Sequence, residues 1–228
     1  MQAKVFLKKH WIQRHKINNG PLFGMSQPSY MSMGWSIAFA DVNNNGFEDI
    51  IVANGHLQDF IKKIDSRQSY AQPNQLILNQ EGKKFLLQQN DKTFSTQDPK
   101  ASRGLAIADW NNDGKIDFAV NNIVDKFEIF KYTDKNSNSW LGIQLNGSKQ
   151  NSSAIEAVVT IKTNDTSQRK EVISGGSYMS QSELRLVFGL GDFKEPIDLH
   201  IKWPDGKASH HSIKEINKYH VLNYPNRN

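Results

Sequence analysis

Two short acidic loops carry the side chains of this chain that are best suited to chemistry. Each fits the pattern D-x-[DN]-x-[DN]-G-x-x-D, first over Asp41–Asp49 and again over Asp109–Asp117. Oxygen donors at alternate positions of a tight loop can point toward a common centre, and calcium takes six to eight such oxygens. The two loops are therefore predicted calcium sites.

The ligands are predicted at positions one, three, five, seven and nine of each loop, with the backbone carbonyl acting at position seven. A glycine at position six makes the turn. In the first loop the predicted ligands are Asp41, Asn43, Asn45, Phe47 and Asp49. In the second loop they are Asp109, Asn111, Asp113, Lys115 and Asp117. Asn45 leaves the first loop one carboxylate short of the second, so we expect the second loop to bind calcium more tightly.

Strand-like runs rather than helices flank both loops, which separates them from an EF-hand. The affinity expected is that of extracellular calcium modules, on the order of 10⁻⁴ M, and the role expected of the ion is structural. The alternative is an Asn- and Asp-rich turn that holds no ion, because these residues favour turns in any case. The residues alone leave that alternative open, more so for the first loop.

The loops lie within a repeat. Ser36–Asn54 and Gly104–Asn122 align without a gap at an offset of 68 residues, and each copy is an apolar run, a polar loop and a second apolar run. Short apolar runs bounded by turn residues predict two strands of a β-hairpin. Further strands predicted at Gln75–Asn79 and Lys84–Gln88 bring each repeat to about four strands, as in a β-propeller blade. Because two blades do not close a propeller, the chain is predicted to be part of a larger one.

The pattern changes near Ser139, where strand-like runs separated by tight turns predict a β-sandwich. These strands are predicted at Trp140–Leu145, Ala157–Lys162, Lys170–Ile173, Leu184–Gly189 and Ile197–Trp203. The predicted fold class is all-β, a partial β-propeller of about two blades followed by a β-sandwich-like C-terminal domain. The predicted domains are a segment at 1–32 left from a preceding blade or linker, two repeats at 33–138 and the C-terminal domain at 139–228.

The repeats resemble FG-GAP/VCBS propeller repeats, and the C-terminal half resembles the ASPIC/UnbV domain of cartilage acidic protein-like proteins. The residues that carry the resemblance are Met33–His56, Gln72–Gln80, Ala101–Asn122, Ser174–Gly191 and Ile201–Lys207. The resemblance implies a propeller that binds calcium through its repeat loops, and a location that is secreted, periplasmic or at the cell surface. Val187 and Asp205 depart from the residues usual in this family, which are His before FGLG and Ser in WPSG.

Composition and motifs favour a binding module over an enzyme. The chain has no cysteine and no apolar run long enough for a membrane span, and its N-terminus has no signal-peptide pattern. The net charge of +5 is scattered singly, so no nucleic-acid partner is predicted. No P-loop, G-x-S-x-G or H-E-x-x-H motif is present. The predicted function is a non-enzymatic adhesion-type module with a protein or glycan ligand; the alternative is the non-catalytic part of a propeller enzyme or cofactor carrier.

Three smaller features allow two interpretations each. Tyr178, Ser180 and Gln181 could line a recognition surface or form a tight turn whose side chains bind the backbone. His210 and His211 could be a metal pair, but neighbours on a strand point to opposite faces, which favours a surface role. His56 follows Asn54-Gly55 and is interpreted as a loop residue rather than a ligand.

Overall fold

The computed structural model describes residues 30–88, 98–133, 135–163 and 166–225. The first blade-like sheet and the short helix after its second strand are β1 Gly34–Ala40, β2 Asp49–Asn54, α1 Ile61–Ile64, β3 Gln75–Gln80 and β4 Lys84–Leu87. The second such sheet contains β5 Ser102–Ala108, β6 Asp117–Asn122 and β7 Glu128–Phe130. The C-terminal strands are β8 Ser139–Asn146, β9 Val158–Lys162, β10 Ser167–Glu171, β11 Gly176–Ser177, β12 Ser180–Gln181, β13 Leu186–Gly191, β14 Ile197–Lys202, β15 Ala208–Ile213 and β16 Tyr219–Asn223. The predicted all-β class is confirmed.

The repeat seen in the sequence is also a repeat in structure. The first sheet is an antiparallel meander in the order β1-β2-β3-β4, and the second follows the order β5-β6-β7. Ala40 pairs with Asp49 next to the connecting loop of the first hairpin, and Ala108 pairs with Asp117 at the equivalent place in the second. Both hairpins shift register at their far ends, between Gly34 and Ser36 and between Ser102 and Gly104. The predicted hairpins are therefore confirmed, and the structure adds an irregularity that both share.

The two blade-like sheets pack face to face around a common core. Ala38, Ile51 and Leu76 from the first sheet are buried in one cluster with Leu105 and Phe118 from the second. The opposite face of the first sheet buries a separate cluster of Ile37, Ile50, Val52, Ile77 and Phe85. Burial on both faces explains why β2 is an unbroken run of buried residues instead of an alternating one.

The C-terminal half consists of two main sheets with a hydrophobic core between them. One sheet has the order β10-β9-β14-β15, and the other has the order β13-β8-β16, in which β16 runs parallel to β8. Leu141, Phe188, Ile161 and Trp203 are fully buried in this core. The sequence does not predict the last two strands, because ASHHSI and YHVLN contain too few apolar residues to form a recognisable strand pattern.

The predicted boundary at 138/139 coincides with the start of β8 at Ser139, but the core does not stop there. Trp140 and Val187 from the C-terminal half are buried in the cluster that joins the two blade-like sheets. The first 29 residues of the predicted 1–32 segment lie outside the described residues. Within the described part of the chain, no helix is long and apolar enough to cross a membrane.

Candidate functional site

Both Asp/Asn loops have the same backbone conformation. Asn44 and Asn112, at the fourth position, have φ of 56° and 59°, in the left-handed region. Gly46 and Gly114, at the sixth position, have φ of 91° and 80°. Asparagine and glycine are the residues that enter this region at the lowest cost. The loop shape is thus fixed locally and in the same way twice.

The first aspartate of each loop ties the turn together through its carboxylate. The Oδ1 of Asp41 accepts the N–H of Asn45 at 3.0 Å, and its Oδ2 accepts the N–H of Gly46 at 2.6 Å. Asp109 accepts the equivalent N–H groups of Asp113 and Gly114 at 3.1 and 2.8 Å. Both side chains are buried, with 4% and 0% of their surface exposed.

The last aspartate of each loop connects it to the neighbouring strand. Asp49 accepts the N–H of Val42 at 3.0 Å and that of Asn79, in β3, at 2.7 Å. Asp117 accepts the N–H of Tyr132, just after β7, at 2.8 Å. Asp49 and Asp117 are almost completely buried. Each loop therefore places two desolvated carboxylates at its base.

The middle positions lie nearer to solvent and bind one another. The Oδ1 of Asn45 accepts the N–H of Phe47, and the Oδ1 of Asp113 accepts the N–H of Lys115, both at 2.9 Å. Asn43 accepts the N–H of Asn45 at 3.2 Å. In the second loop the amide of Asn111 donates to Asp113 at 2.7 Å, and the Nζ of Lys131 lies 3.6 Å from Asp113. These groups stabilise the turn without any ion, as in the alternative interpretation of the loops.

Burial disfavours the charged form of the aspartates at the base of each loop. It raises the pKa of Asp41 to about 6 and that of Asp49 to about 7, against the donation of backbone N–H groups, and the charge of Asp41 adds to the rise at Asp49. The pKa of Asp117 is also raised, first by burial and then by the nearby charges of Asp113 and Asp109. Within the described residues none of Asp41, Asp49 and Asp117 forms an ion pair, so their negative charge has no compensating cation in contact.

The donors fit an oxygen-binding cation better than a nitrogen- or sulfur-binding one. Both basal carboxylates of a loop lie close enough for their charges to interact. The oxygens that accept a single N–H keep a lone pair for a cation, whereas the Oδ2 of Asp109 accepts both the N–H of Gly114 and the hydroxyl of Tyr219. Across the described ranges no three His, Cys, Asp or Glu side chains converge as a metal cluster. A cation in either loop would therefore need amide and backbone carbonyl oxygens beside the two carboxylates.

The C-terminal half and the residues just before it cover the first loop, a contact that the sequence does not predict. The N–H of Gly191 donates to the carbonyl of Asn44 at 2.8 Å, and the amide groups of Asn136 and Asn138 both donate to the carbonyl of Asn43. A Cβ added at Gly189 would lie 1.9 Å from the Oδ2 of Asp41. The FGLG turn of the C-terminal half therefore fits against the first loop at a distance that only glycine allows.

The second loop is covered by three residues from the same half of the chain. The hydroxyl of Tyr219 donates to the Oδ2 of Asp109 at 2.8 Å, and burial together with this bond raises the pKa of Tyr219. The Oε1 of Glu183 accepts the N–H of Asp109 at 2.7 Å. Arg185 donates to the carbonyl of Asp109 at 2.6 Å and to the Oδ1 of Asn112 at 2.5 Å. One aromatic and two charged side chains of the C-terminal half thus hold the second loop in place.

The two loops also touch each other. The amide of Asn44 donates to the carbonyl of Gly114 at 3.0 Å. Trp140 lies against Gly114, and its ring meets the ring of Tyr219 edge to face, with centroids 5.3 Å apart. The two loops and the C-terminal half therefore form one continuous contact region, called the junction below. No local sequence motif predicts it.

The predicted Tyr178–Gln181 cluster forms a hairpin, as the turn interpretation requires. Ser180 donates to the carbonyl of Tyr178 at 2.8 Å, and Gln181 accepts the N–H of Gly175 at 2.6 Å. Ser177, in β11, donates to the carbonyl of Ile37 and accepts its N–H, both at 3.0 Å. One serine side chain thus pairs with the edge of β1 as a strand would.

The histidines weighed from the sequence do not meet at these loops. His56 is a buried loop residue whose Nδ1 accepts the N–H of Gln58 at 3.0 Å. His211 is opposite Leu199 in the β14–β15 pairing, whereas His210 is opposite His200. The expectation that His210 and His211 point to opposite faces agrees with this register, since Leu199 is buried in the core.

Comparison with known proteins finds a family match in each half of the chain. An FG-GAP repeat model matches residues 33–58, which include the first loop, and the ASPIC and UnbV model matches residues 147–228. The chain is 29% identical to cartilage acidic protein 1 of Xenopus tropicalis over 147 residues, covering 62% of this chain and 22% of the relative. It is 25% identical to cartilage acidic protein 1 of Mus musculus over 175 residues, covering 74% of this chain and 27% of the relative. The predicted resemblance is confirmed, and the chain spans about a quarter of the length of these relatives.

Among solved structures, a chain from Bacteroides uniformis ATCC 8492 aligns over 83% of this chain and 85% of its own length. The sequence identity is 12% and the TM-score is 0.24. A similarity this low carries no argument about this protein.

Proposed function

We propose that this chain is a calcium-binding, non-enzymatic module of the adhesion type, in which one calcium ion per loop stabilises the junction between the blade-like sheets and the C-terminal domain. The observation that carries the proposal is the pair of buried aspartates in each loop, Asp41 with Asp49 and Asp109 with Asp117. The same pair, with the same backbone bonds, recurs at an offset of 68 residues. A buried carboxylate pair is costly without a cation, and calcium is the common cation that prefers oxygen donors.

The proposed role of the ion is structural. Each loop connects the two strands of its hairpin and is covered by the C-terminal half, so a bound ion would not face an open substrate site. At an affinity on the order of 10⁻⁴ M, about 1 mM calcium would add roughly 1.4 kcal/mol of stability for each occupied site. Such an affinity suits millimolar extracellular calcium, which agrees with an exported or cell-surface location. That location is supported further by the relatives named cartilage acidic protein 1.

Two isosteric substitutions test the proposal. Asp49→Asn and Asp117→Asn each remove one charge from one loop while keeping one oxygen that can accept a backbone N–H, that of Asn79 or that of Tyr132. Asp125→Asn is the matched control, because this aspartate is exposed, lies outside both loops and has a Lys100 contact at 3.7 Å.

Calcium binding is measured by titration calorimetry of the wild type, the three single variants and the Asp49→Asn/Asp117→Asn double variant, together with melting curves in calcium and in EGTA. We expect two sites in the wild type and in the control, one in each loop variant and none in the double variant. We also expect the site that persists in Asp49→Asn to be the tighter one, because the second loop has more carboxylates. A wild-type protein that shows neither calcium heat nor a calcium-dependent melting temperature would refute the proposal.

The ligand of the module is proposed to be a protein or a glycan, and the remaining blades of a larger propeller are its proposed intramolecular partners. The second blade-like sheet supports the latter proposal, since Ile129 in its last strand has 60% of its surface exposed. The equivalent face of the first sheet, that of Ile51 and Leu76, is buried against the second sheet. An apolar sheet face of this kind is what a further blade would cover.

A further inference from the structure

A histidine pair lies on the outer face of the C-terminal sheet, far along the chain from both acidic loops. In the β14–β15 pairing, His200 is directly opposite His210. Their ring centroids are 4.4 Å apart and the rings are tilted by 52°. The pair is formed across two strands, so no spacing in the sequence indicates it.

The pair faces an open groove of about 540 Å³. Side chains at alternate positions of neighbouring strands share this face, among them Thr160, Lys162, Asp198 and Ser212. Asp198 is two residues before His200 on β14 and is paired with Lys162 of β9. His210 is exposed and His200 is half-buried, so the imidazole nitrogens can be reached from solvent.

We propose that His200 and His210 form a two-imidazole site for a divalent transition-metal cation of the Zn²⁺, Ni²⁺ or Cu²⁺ class. Imidazole is the side chain that these ions favour, and calcium does not compete for it because calcium prefers oxygen. Two nitrogens that bind one tetrahedral ion at about 2.0–2.1 Å each must approach to about 3.3 Å of one another. Adjacent rings whose centroids are 4.4 Å apart reach that geometry by side-chain rotation within the open groove.

The site is an exchangeable one rather than a closed structural centre. No third His, Cys, Asp or Glu converges with the pair within the described ranges, so water completes the coordination shell. Asp198, diagonal to His210 on the same face, is placed to bind one of those waters. Because β15 is the edge strand of its sheet, a bound ion would fasten that edge to β14.

The test is titration of the full chain with ZnCl₂ by calorimetry, with a constant, saturating calcium concentration in every sample. The variants are His200→Ala, His210→Ala and the milder His210→Gln, and the matched control is His211→Ala. His211 adjoins His210 on the same strand but is opposite the buried Leu199, and its ring contacts Ser209. Circular dichroism of each variant establishes that the fold is kept.

We expect the wild type and His211→Ala to bind one Zn²⁺ equivalent that each of the other three variants loses, or binds at least about tenfold more weakly. Magnesium in place of zinc should give no such difference, because it does not favour imidazole. If His200→Ala and His210→Ala bind the same number of zinc ions as the wild type with the same affinity, the proposal is overturned. Because calcium is constant throughout, this result is independent of whether the acidic loops bind calcium.

Discussion

The most direct test of the junction compares the same substitution at equivalent positions of the two loops. Gly46 and Gly114 occupy the same place in the repeat and have similar positive φ, 91° and 80°. A Cβ at Gly46 meets nothing nearer than 3.7 Å, whereas a Cβ at Gly114 would lie 2.1 Å from two ring atoms of Trp140. Alanine at either position bears the same backbone strain, and only alanine at Gly114 also clashes with the C-terminal half.

The magnitudes follow from these two contributions. An L-residue in the left-handed region costs roughly 1–2 kcal/mol, which we expect for Gly46→Ala. Overpacking adds typically about 1–3 kcal/mol, so Gly114→Ala should lose about 2–5 kcal/mol in total. Trp140 cannot turn aside freely, since it is 7% exposed and packs against Tyr219.

Urea unfolding followed by tryptophan fluorescence measures both variants, with linear extrapolation to water and with calcium held constant. The free energy of unfolding should fall further for Gly114→Ala than for Gly46→Ala, by about 1–3 kcal/mol. Equal losses would show that Trp140 does not pack on the second loop, and the described junction would be wrong.

Three further outcomes are expected. Burial raises the pKa of Asp49 to about 7, so without calcium the stability that its neutral form contributes is present below about pH 4 and is lost as the pH rises through about 7. Melting curves from pH 4 to 8 in EGTA should show this loss, and saturating calcium should reduce it. Asp49→Asn should make the loss smaller without abolishing it, because the raised pKa of Asp41 remains. A wild type with a flat profile contradicts the assigned burial. Arg185→Ala removes two hydrogen bonds to the second loop and should cost about 2–4 kcal/mol in urea unfolding, whereas Arg169→Ala, at an exposed pair 3.7 Å long, should cost less than about 0.5 kcal/mol. Ser177→Ala leaves an edge N–H of β1 without its partner and should cost about 1–3 kcal/mol, while Ser180→Ala, whose hydroxyl bonds only within its own hairpin, should be nearly neutral; equal losses would contradict the assigned pairing.

The local features of the fold could be predicted from the sequence because their causes are local. Within nine residues, the pattern of Asp41–Asp49 specifies a turn through its glycine and its Asp and Asn side chains, and the structure has that turn between two paired strands. The strand β3 at Gln75–Gln80 is predicted almost to the residue, since its apolar run is bounded by turns. The calcium assignment stays a prediction, as the same side chains also stabilise the turn by themselves.

The junction could not be predicted, because its contacts join residues that are far apart in sequence. Tyr219 donates to Asp109, which is 110 residues away in sequence. Gly191 donates to the carbonyl of Asn44, which lies far earlier in the chain. Neither residue belongs to a pattern that specifies its partner. The β16 strand that carries Tyr219 pairs in parallel with β8, an arrangement that hairpin and turn signals do not indicate.

The shared junction changes what a calcium ion in these loops would do. Asp109 accepts the N–H groups of its own turn and also the hydroxyl of Tyr219, so any ion that draws on this carboxylate acts on the C-terminal domain as well. The first loop is linked in the same way through Gly191, and the two loops are linked to each other through Asn44. By thermodynamic linkage, docking of the C-terminal domain must then alter calcium affinity by the same factor by which calcium alters docking. If the loops bind calcium, the repeats and the C-terminal domain should therefore unfold as one cooperative unit, because the acidic loops lie at the contact between them.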